Sequence, residues 1–175
     1  MINLRWLNLD DNQIQDIEPL RGLSNLRNLG ICDNKITNIS AVEDLKELRI
    51  LQFWNNEVND ISPVAALENL EELAFINNDI EDISALANLY NLKSLDMEYN
   101  PLNNEAYEEI IPIIMANNPG IRISYISKNG NENEKTTIPP EIRHKIIRSR
   151  VVFPLVLLLV ICFAGMFLSN KYLSR

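Results

Sequence analysis

An α/β solenoid, with a curved parallel sheet and short helical turns on its convex side, is predicted by three sets of residues that recur every 22 positions. Leu4, Leu26, Leu48, Leu70 and Leu92 form one set, and Leu7, Leu29, Leu51, Leu73 and Leu95 a second. Asn12, Asn34, Asn56, Asn78 and Asn100 form the third. A fixed interval of this size marks units that cannot bury their apolar faces alone and must stack on one another.

Each element follows from its place in the unit. The Leu-x-Leu stretch alternates with period two, so every unit supplies one short strand. Ile14, Ile36, Val58 and Ile80 come next, then Ile17, Ile39, Ile61 and Ile83. Leu20, Val42, Val64 and Leu86 follow, then Leu23, Leu45, Leu67 and Leu89, and all of these turn inward from the convex side. The asparagine stands where the chain leaves the strand. Its amide both donates and accepts, so it can satisfy backbone groups in a buried turn, and stacked units would make a ladder of such amides. Ser62-Pro63 and Ser84-Ala85 suit the first residues of a short helical turn.

The unit reads L-x-x-L-x-[LIFM]-x-x-N-x-[IVL]-x-[DN]-I-x-[PA]-[LV]-x-x-L-x-[NE], with "NQIQDIEPLRGLSNL" and "NEVNDISPVAALENL" as clear examples. It resembles the leucine-rich repeat family, in the 22-residue form of bacterial internalins and phosphatase-regulatory repeat proteins. The resemblance covers roughly residues 1–126 and implies a protein-binding solenoid.

The ends differ. After Asn100, Asn104 is placed to cap a helix over about Glu105 to Met115, with Ile110, Ile111, Ile114 and Met115 covering the last repeat. Pro112 should shorten or kink it, and "IRISYI" reads as a final strand, giving a cap over about 103–126. The chain opens at the edge of a repeat with no visible N-terminal cap, which points to a longer protein or a frayed first repeat. Residues 1–20 are amphipathic and acidic and do not read as a signal peptide.

Composition changes past Ile126. Residues 127–140 read as a polar linker and 141–150 as a basic juxtamembrane segment carrying Arg143, Lys145, Arg148 and Arg150. A transmembrane helix is expected over 151–169, because Val151 to Leu168 is an uncharged run of 18 residues. A short tail, 170–175, carries Lys171 and Arg175. Four basic residues before the span against two after it favour a cytoplasmic repeat domain, as in a tail-anchored protein. A signal peptide upstream of Met1 would put the repeats outside the cell. No LPxTG-type sorting signal precedes the span.

Charge and composition narrow the function. Residues 1–126 hold 8 basic and 21 acidic side chains, a net of −13, which argues against nucleic acid as a partner. One histidine, His144, and two distant cysteines, Cys32 and Cys162, leave no disulfide framework and no zinc set. No nucleophile–base pair or phosphate loop is present, so neither catalysis nor a cofactor is assigned. Asp10, Asp11 and Asp33 fall on adjacent repeats, but surface aspartates more often stay solvated, and no metal ligands are assigned.

Binding is expected on the concave face instead. Positions flanking the Leu-x-Leu residues point outward, while Phe53 takes the inward slot of Leu9, Ile31, Phe75 and Met97. Trp54 is then left outside, forming an apolar strip with Ile50 and Ile76. Glu72, Asp96 and Glu98 rim it with negative charge, Tyr99 adds an aromatic, and Asn28, Cys32, Gln52 and Ala74 complete the face. Apolar clusters with a charged rim mark interaction sites, and Trp and Tyr are frequent anchors. The expected function is a membrane-tethered module that holds a protein ligand in this face. The alternatives are a regulatory subunit that docks an enzyme such as a phosphatase at the membrane, and a surface adhesin.

Overall fold

The computed structural model of the chain describes residues 3–125. Six three-residue strands lie in sequence order in one parallel sheet: β1 (Trp6–Asn8), β2 (Asn28–Gly30), β3 (Ile50–Gln52), β4 (Glu72–Ala74), β5 (Ser94–Asp96) and β6 (Arg122–Ser124). The 22-residue interval is the register itself. Leu7, Leu29, Leu51, Leu73 and Leu95 are successive partners, and Ile123 continues the row.

The convex side is made of short 3-10 turns at Glu18–Leu20, Ser40–Asp44, Ser62–Ala66 and Ser84–Leu86. The turns begin where Ser62-Pro63 and Ser84-Ala85 suggested, but the serine hydroxyls do not cap them. The side-chain oxygens of Asp16, Asn38, Asp60 and Asp82 accept the backbone N–H two residues on, at 2.7–2.8 Å. This explains the [DN] position of the repeat, since a short Asx side chain mimics a backbone turn.

Between sheet and turns lies a continuous apolar core. Leu26, Leu48, Leu51, Phe53, Leu67 and Phe75 are wholly buried, and the Phe53 and Phe75 rings stack with centroids 5.8 Å apart. The asparagine ladder forms, although the amides bond to backbone rather than to each other. Asn56 Nδ2 donates to the carbonyls of Phe53 and Trp54 in its own repeat and of Ile31 in the preceding one. Its Oδ1 accepts the N–H of Ile36 at 3.0 Å. Asn34, Asn78 and Asn100 repeat this pattern. Asn12 is exposed and keeps only the local bonds, to Leu9 and Asp10.

The C-terminal cap departs from expectation in detail. A π-helical turn, Ala106–Ile110, leads into α1 (Ile111–Asn117), which runs past Met115. Asn103, not Asn104, accepts the Ala106 N–H, at 2.9 Å. The wide turn precedes Pro112, whose missing N–H and bulky ring disfavour the ordinary four-residue bond there. Ile110, Ile111 and Ile114 are buried as expected. The buried Asn118 ends the ladder, donating to Leu89 and Ile114 carbonyls and accepting from the Leu92 N–H.

At the other end, Leu4, Leu7, Leu9, Ile14, Leu20 and Leu23 are only partly buried. Their counterparts in the second repeat, Leu26, Leu29, Ile31, Ile36, Val42 and Leu45, are at most 1% exposed. No element among the described residues lies over the first repeat. Nor, among the described residues, is any helix long and apolar enough to cross a membrane. The linker, the basic segment, the expected span over 151–169 and the tail all lie outside the described residues.

Replacing Asn56 with Ala strands buried backbone groups in two repeats at once. Unsatisfied buried groups cost about 1–3 kcal/mol each, so Asn56→Ala should lower unfolding free energy by at least about 2 kcal/mol. Asn12→Ala, at an exposed rung, should cost less than about 1 kcal/mol. Urea unfolding followed by circular dichroism separates the two.

Candidate concave interaction face

Strand pairing lines up the outward side chains in rows. Trp6, Asn28, Ile50, Glu72, Ser94 and Arg122 form one row, and Asn8, Gly30, Gln52, Ala74, Asp96 and Ser124 the next. Cys32, Trp54, Ile76 and Glu98 lie two residues beyond their strands, so simple alternation no longer governs where they point.

Beyond them the backbone turns sharply. Asp11, Asp33, Asn55, Asn77 and Tyr99 all take positive φ, between 53° and 57°. Asp and Asn tolerate this left-handed conformation better than other non-glycine residues, and a tyrosine there is uncommon. A second ladder stands at these positions, unforeseen from sequence. Asn77 Nδ2 donates to Asn55 Oδ1, and Asn55 Nδ2 donates to Asp33 Oδ1, at 2.9 and 2.7 Å. The recurring Asp/Asn just before the ladder asparagine was the available signal.

This ladder decides the position of Trp54. The indole is half-buried rather than freely outside, and its Nε1–H donates to Asp33 Oδ2 at 3.2 Å. Ile76 is likewise partly exposed, and Ile50 lies partly exposed in the first row of the third repeat. The large freely exposed aromatics of the face are Trp6 and Tyr99, at 64% and 60%.

One expected face residue, Cys32, is corrected, and another, Ala74, is recessed. Cys32 is fully buried, and its backbone N–H donates to Asp10 Oδ1 at 2.7 Å. Asp10 reaches this far because Gly30 has no side chain in its way; a Cβ there would come within 3.0 Å of the carboxylate. Burial above all, with the nearby Asp10 carboxylate, pushes the Cys32 thiol up to about 12, so it is an inert core group. Ala74 is 7% exposed, because longer neighbours on both flanking strands shade its methyl. It forms the floor of a shallow hollow lined by Gln52, Glu72, Ser94 and Asp96.

Asn28, Gln52, Glu72, Asp96 and Glu98 are each partly exposed on the face. Burial raises the Asp96 carboxyl above the usual range, Glu98 and Glu72 add to the rise, and Arg122 opposes it. Arg122 and Ser124 extend the face, and Ser124 Oγ donates to Glu98 Oε1 at 2.6 Å. They pair with Ser94 and Asp96, a register that reading "IRISYI" as a final strand did not supply. Asp10 and Asp33 are engaged by protein donors, and no group arranged to hold a metal ion occurs among the described residues.

A family model for leucine-rich repeats (two copies) matches residues 2–47. Among solved structures, internalin C2 of Listeria monocytogenes is 36% identical, with a TM-score of 0.63 over 70% of this chain and 51% of that one. An internalin of the same organism, inlF, is 32% identical, with a TM-score of 0.60 over 73% and 42%. A leucine-rich repeat protein of Leptospira interrogans is 27% identical, with a TM-score of 0.60 over 70% and 31%. This chain thus spans about half or less of each. No curated protein matches it. The described residues form a leucine-rich repeat solenoid similar to those of the internalins.

A carboxyl whose pKa is raised by folding destabilises the fold as pH climbs through its folded value. Asp96→Asn should therefore raise the thermal midpoint at pH 7. The gain should shrink as pH falls through the carboxylate range, and a difference scan from pH 7 to 3 checks both statements.

Proposed function

We propose that this protein is a membrane-tethered interaction module whose concave face holds a protein ligand. The observation that carries this reading is an open sheet face. No described element covers the outward rows, and they offer a partly exposed apolar strip, Ile50, Trp54 and Ile76, next to exposed Tyr99. The Asp33 bond fixes the Trp54 ring before any partner arrives, which lowers the ordering cost of binding. Similarity to internalin solenoids supports a binding role over a catalytic one.

Tethering rests on sequence. Val151 to Leu168 carries no charge over a length sufficient for a membrane helix. Arg143, Lys145, Arg148 and Arg150 on its N-terminal side favour repeats on the cytoplasmic side.

The test uses the full chain in detergent extracts. Wild type should retain a protein partner that the Ile50→Arg/Ile76→Arg variant loses, with both circular dichroism spectra alike. Equal retention by the two would remove the concave face from the proposal. An enzymatic activity that co-purifies would identify the partner as an enzyme docked at the membrane. Extraction of the chain by alkaline carbonate, without detergent, would end the tethering reading. Digestion of the repeats by protease added outside intact cells would reverse the sidedness.

A further inference from the structure

We propose that the edge of the sheet where the strands begin docks on a membrane surface carrying anionic lipid headgroups. The edge is read from the structure, and the choice of lipid as its partner rests on the tethering reading above.

The first feature is charge. The repeats are acidic overall, but their charges are segregated. The four residues before each of β1 to β5 (2–5, 24–27, 46–49, 68–71 and 90–93) hold 5 basic and 3 acidic side chains, a net of +2. The rest of residues 1–126 holds 3 basic and 18 acidic, a net of −15.

The second feature is contiguity. Arg5, Arg27, Arg49, Glu71 and Lys93 hold the same place in successive repeats, and each backbone N–H donates to the carbonyl of the one before, at 2.7–2.8 Å. Asn69 and Asn91 tie the same loops together, donating to the carbonyls of Lys46 and Glu68 at 3.0 and 2.9 Å. The basic row is therefore one line fixed along the sheet. Like charges side by side weaken a sheet, yet three arginines stand on consecutive rungs. Arg5 and Lys46 have no ion pair among the described residues, and Glu47 comes no nearer than 3.9 Å to Arg27. Glu71 interrupts the row between Arg49 and Lys93, through exposed pairs of a kind that contribute little.

The third feature is aromatic. Trp6, beside Arg5, and Tyr90, three residues before Lys93, are 64% and 62% exposed. They stand in the first and fifth repeats, toward the two ends of the row. Tryptophan and tyrosine settle at headgroup level, where an apolar ring and a polar tip are both satisfied.

A basic line with exposed rings complements an anionic bilayer, whose attraction fades within about 8 Å at physiological salt. Many of the acids are set back from it. Asp11 and Asp33 come six residues after Arg5 and Arg27, about 20 Å along an extended chain. The uncharged run from Val151 to Leu168 makes a bilayer the surface within reach of this chain. Contact through the edge leaves Trp54 and Ile76 uncovered for a protein ligand.

Tryptophan quenching on the full chain in vesicles tests this. Trp54→Phe leaves Trp6 as the one indole of the chain. Vesicles of phosphatidylcholine, with or without about one-third phosphatidylserine, carry equal amounts of a lipid brominated near its headgroup. Quenching of Trp6 should be at least about twofold greater in the anionic vesicles and should fall to the phosphatidylcholine value in about 0.5 M salt. Arg27→Gln/Arg49→Gln should remove the difference. Arg21→Gln/Lys35→Gln, which takes the same charge from sites off the edge, should keep it, with all circular dichroism spectra alike. Equal quenching in the two lipids overturns the proposal, as does equal loss from the two variants, which would indicate net charge alone. A shift of Trp6 emission by soluble polyglutamate, with no quenching by lipid, also overturns it and gives the edge to an acidic protein. If alkaline carbonate extracts the chain from phosphatidylcholine vesicles, the tethering reading fails. Flotation of the extracted chain with anionic vesicles alone would still support the edge, and flotation with neither would overturn it.

Discussion

The structure depends on one kind of hydrogen bond, from a buried asparagine amide to backbone groups of two adjacent repeats. Strand pairing alone could not hold the solenoid. Each strand is three residues long, and the chain then leaves the sheet through a turn whose carbonyls point into the core. Asn34, Asn56 and Asn78 satisfy those carbonyls and reach back to the repeat before. In an interior of low dielectric such bonds are strong, and their absence would be costly. The leucines supply most of the favourable burial, but the amides set the interval at which burial can occur.

Most of the fold was legible because the repeat interval is also the strand register. Once Leu7 and Leu29 are equivalent in sequence they are neighbours in space, and the inward slot of Phe53 follows. The site was less legible. Alternation places side chains only as far as the strand continues, and Cys32 and Trp54 lie beyond it. Cys32 is turned under the Asp10 carboxylate, and Trp54 is drawn down by Asp33. Both depend on contacts between residues one repeat apart, which no single unit reveals. The π turn before Pro112 was likewise hidden, since sequence marks the proline but not how the helix yields to it.

The concave face and the scaffold draw on the same residues. Asp33 terminates a ladder, holds an indole and adopts a left-handed backbone at once. Tyr99 adopts the same conformation in the fifth repeat without an amide to offer its neighbour, and its ring is exposed. A position whose side chains bond one another in the second to fourth repeats carries an exposed aromatic in the fifth. Variation within a fixed backbone geometry is how a repetitive scaffold acquires a distinct surface.

Asn118 and α1 seal the C-terminal end of the stack. In a stack stabilised by nearest neighbours, a unit flanked on both sides opens late. Ile50, Trp54, Ile76 and the hollow at Ala74 sit on the third to fifth repeats, each with a strand paired on either side. The concave rows of these repeats should therefore be among the slowest parts of the chain to exchange their amide hydrogens.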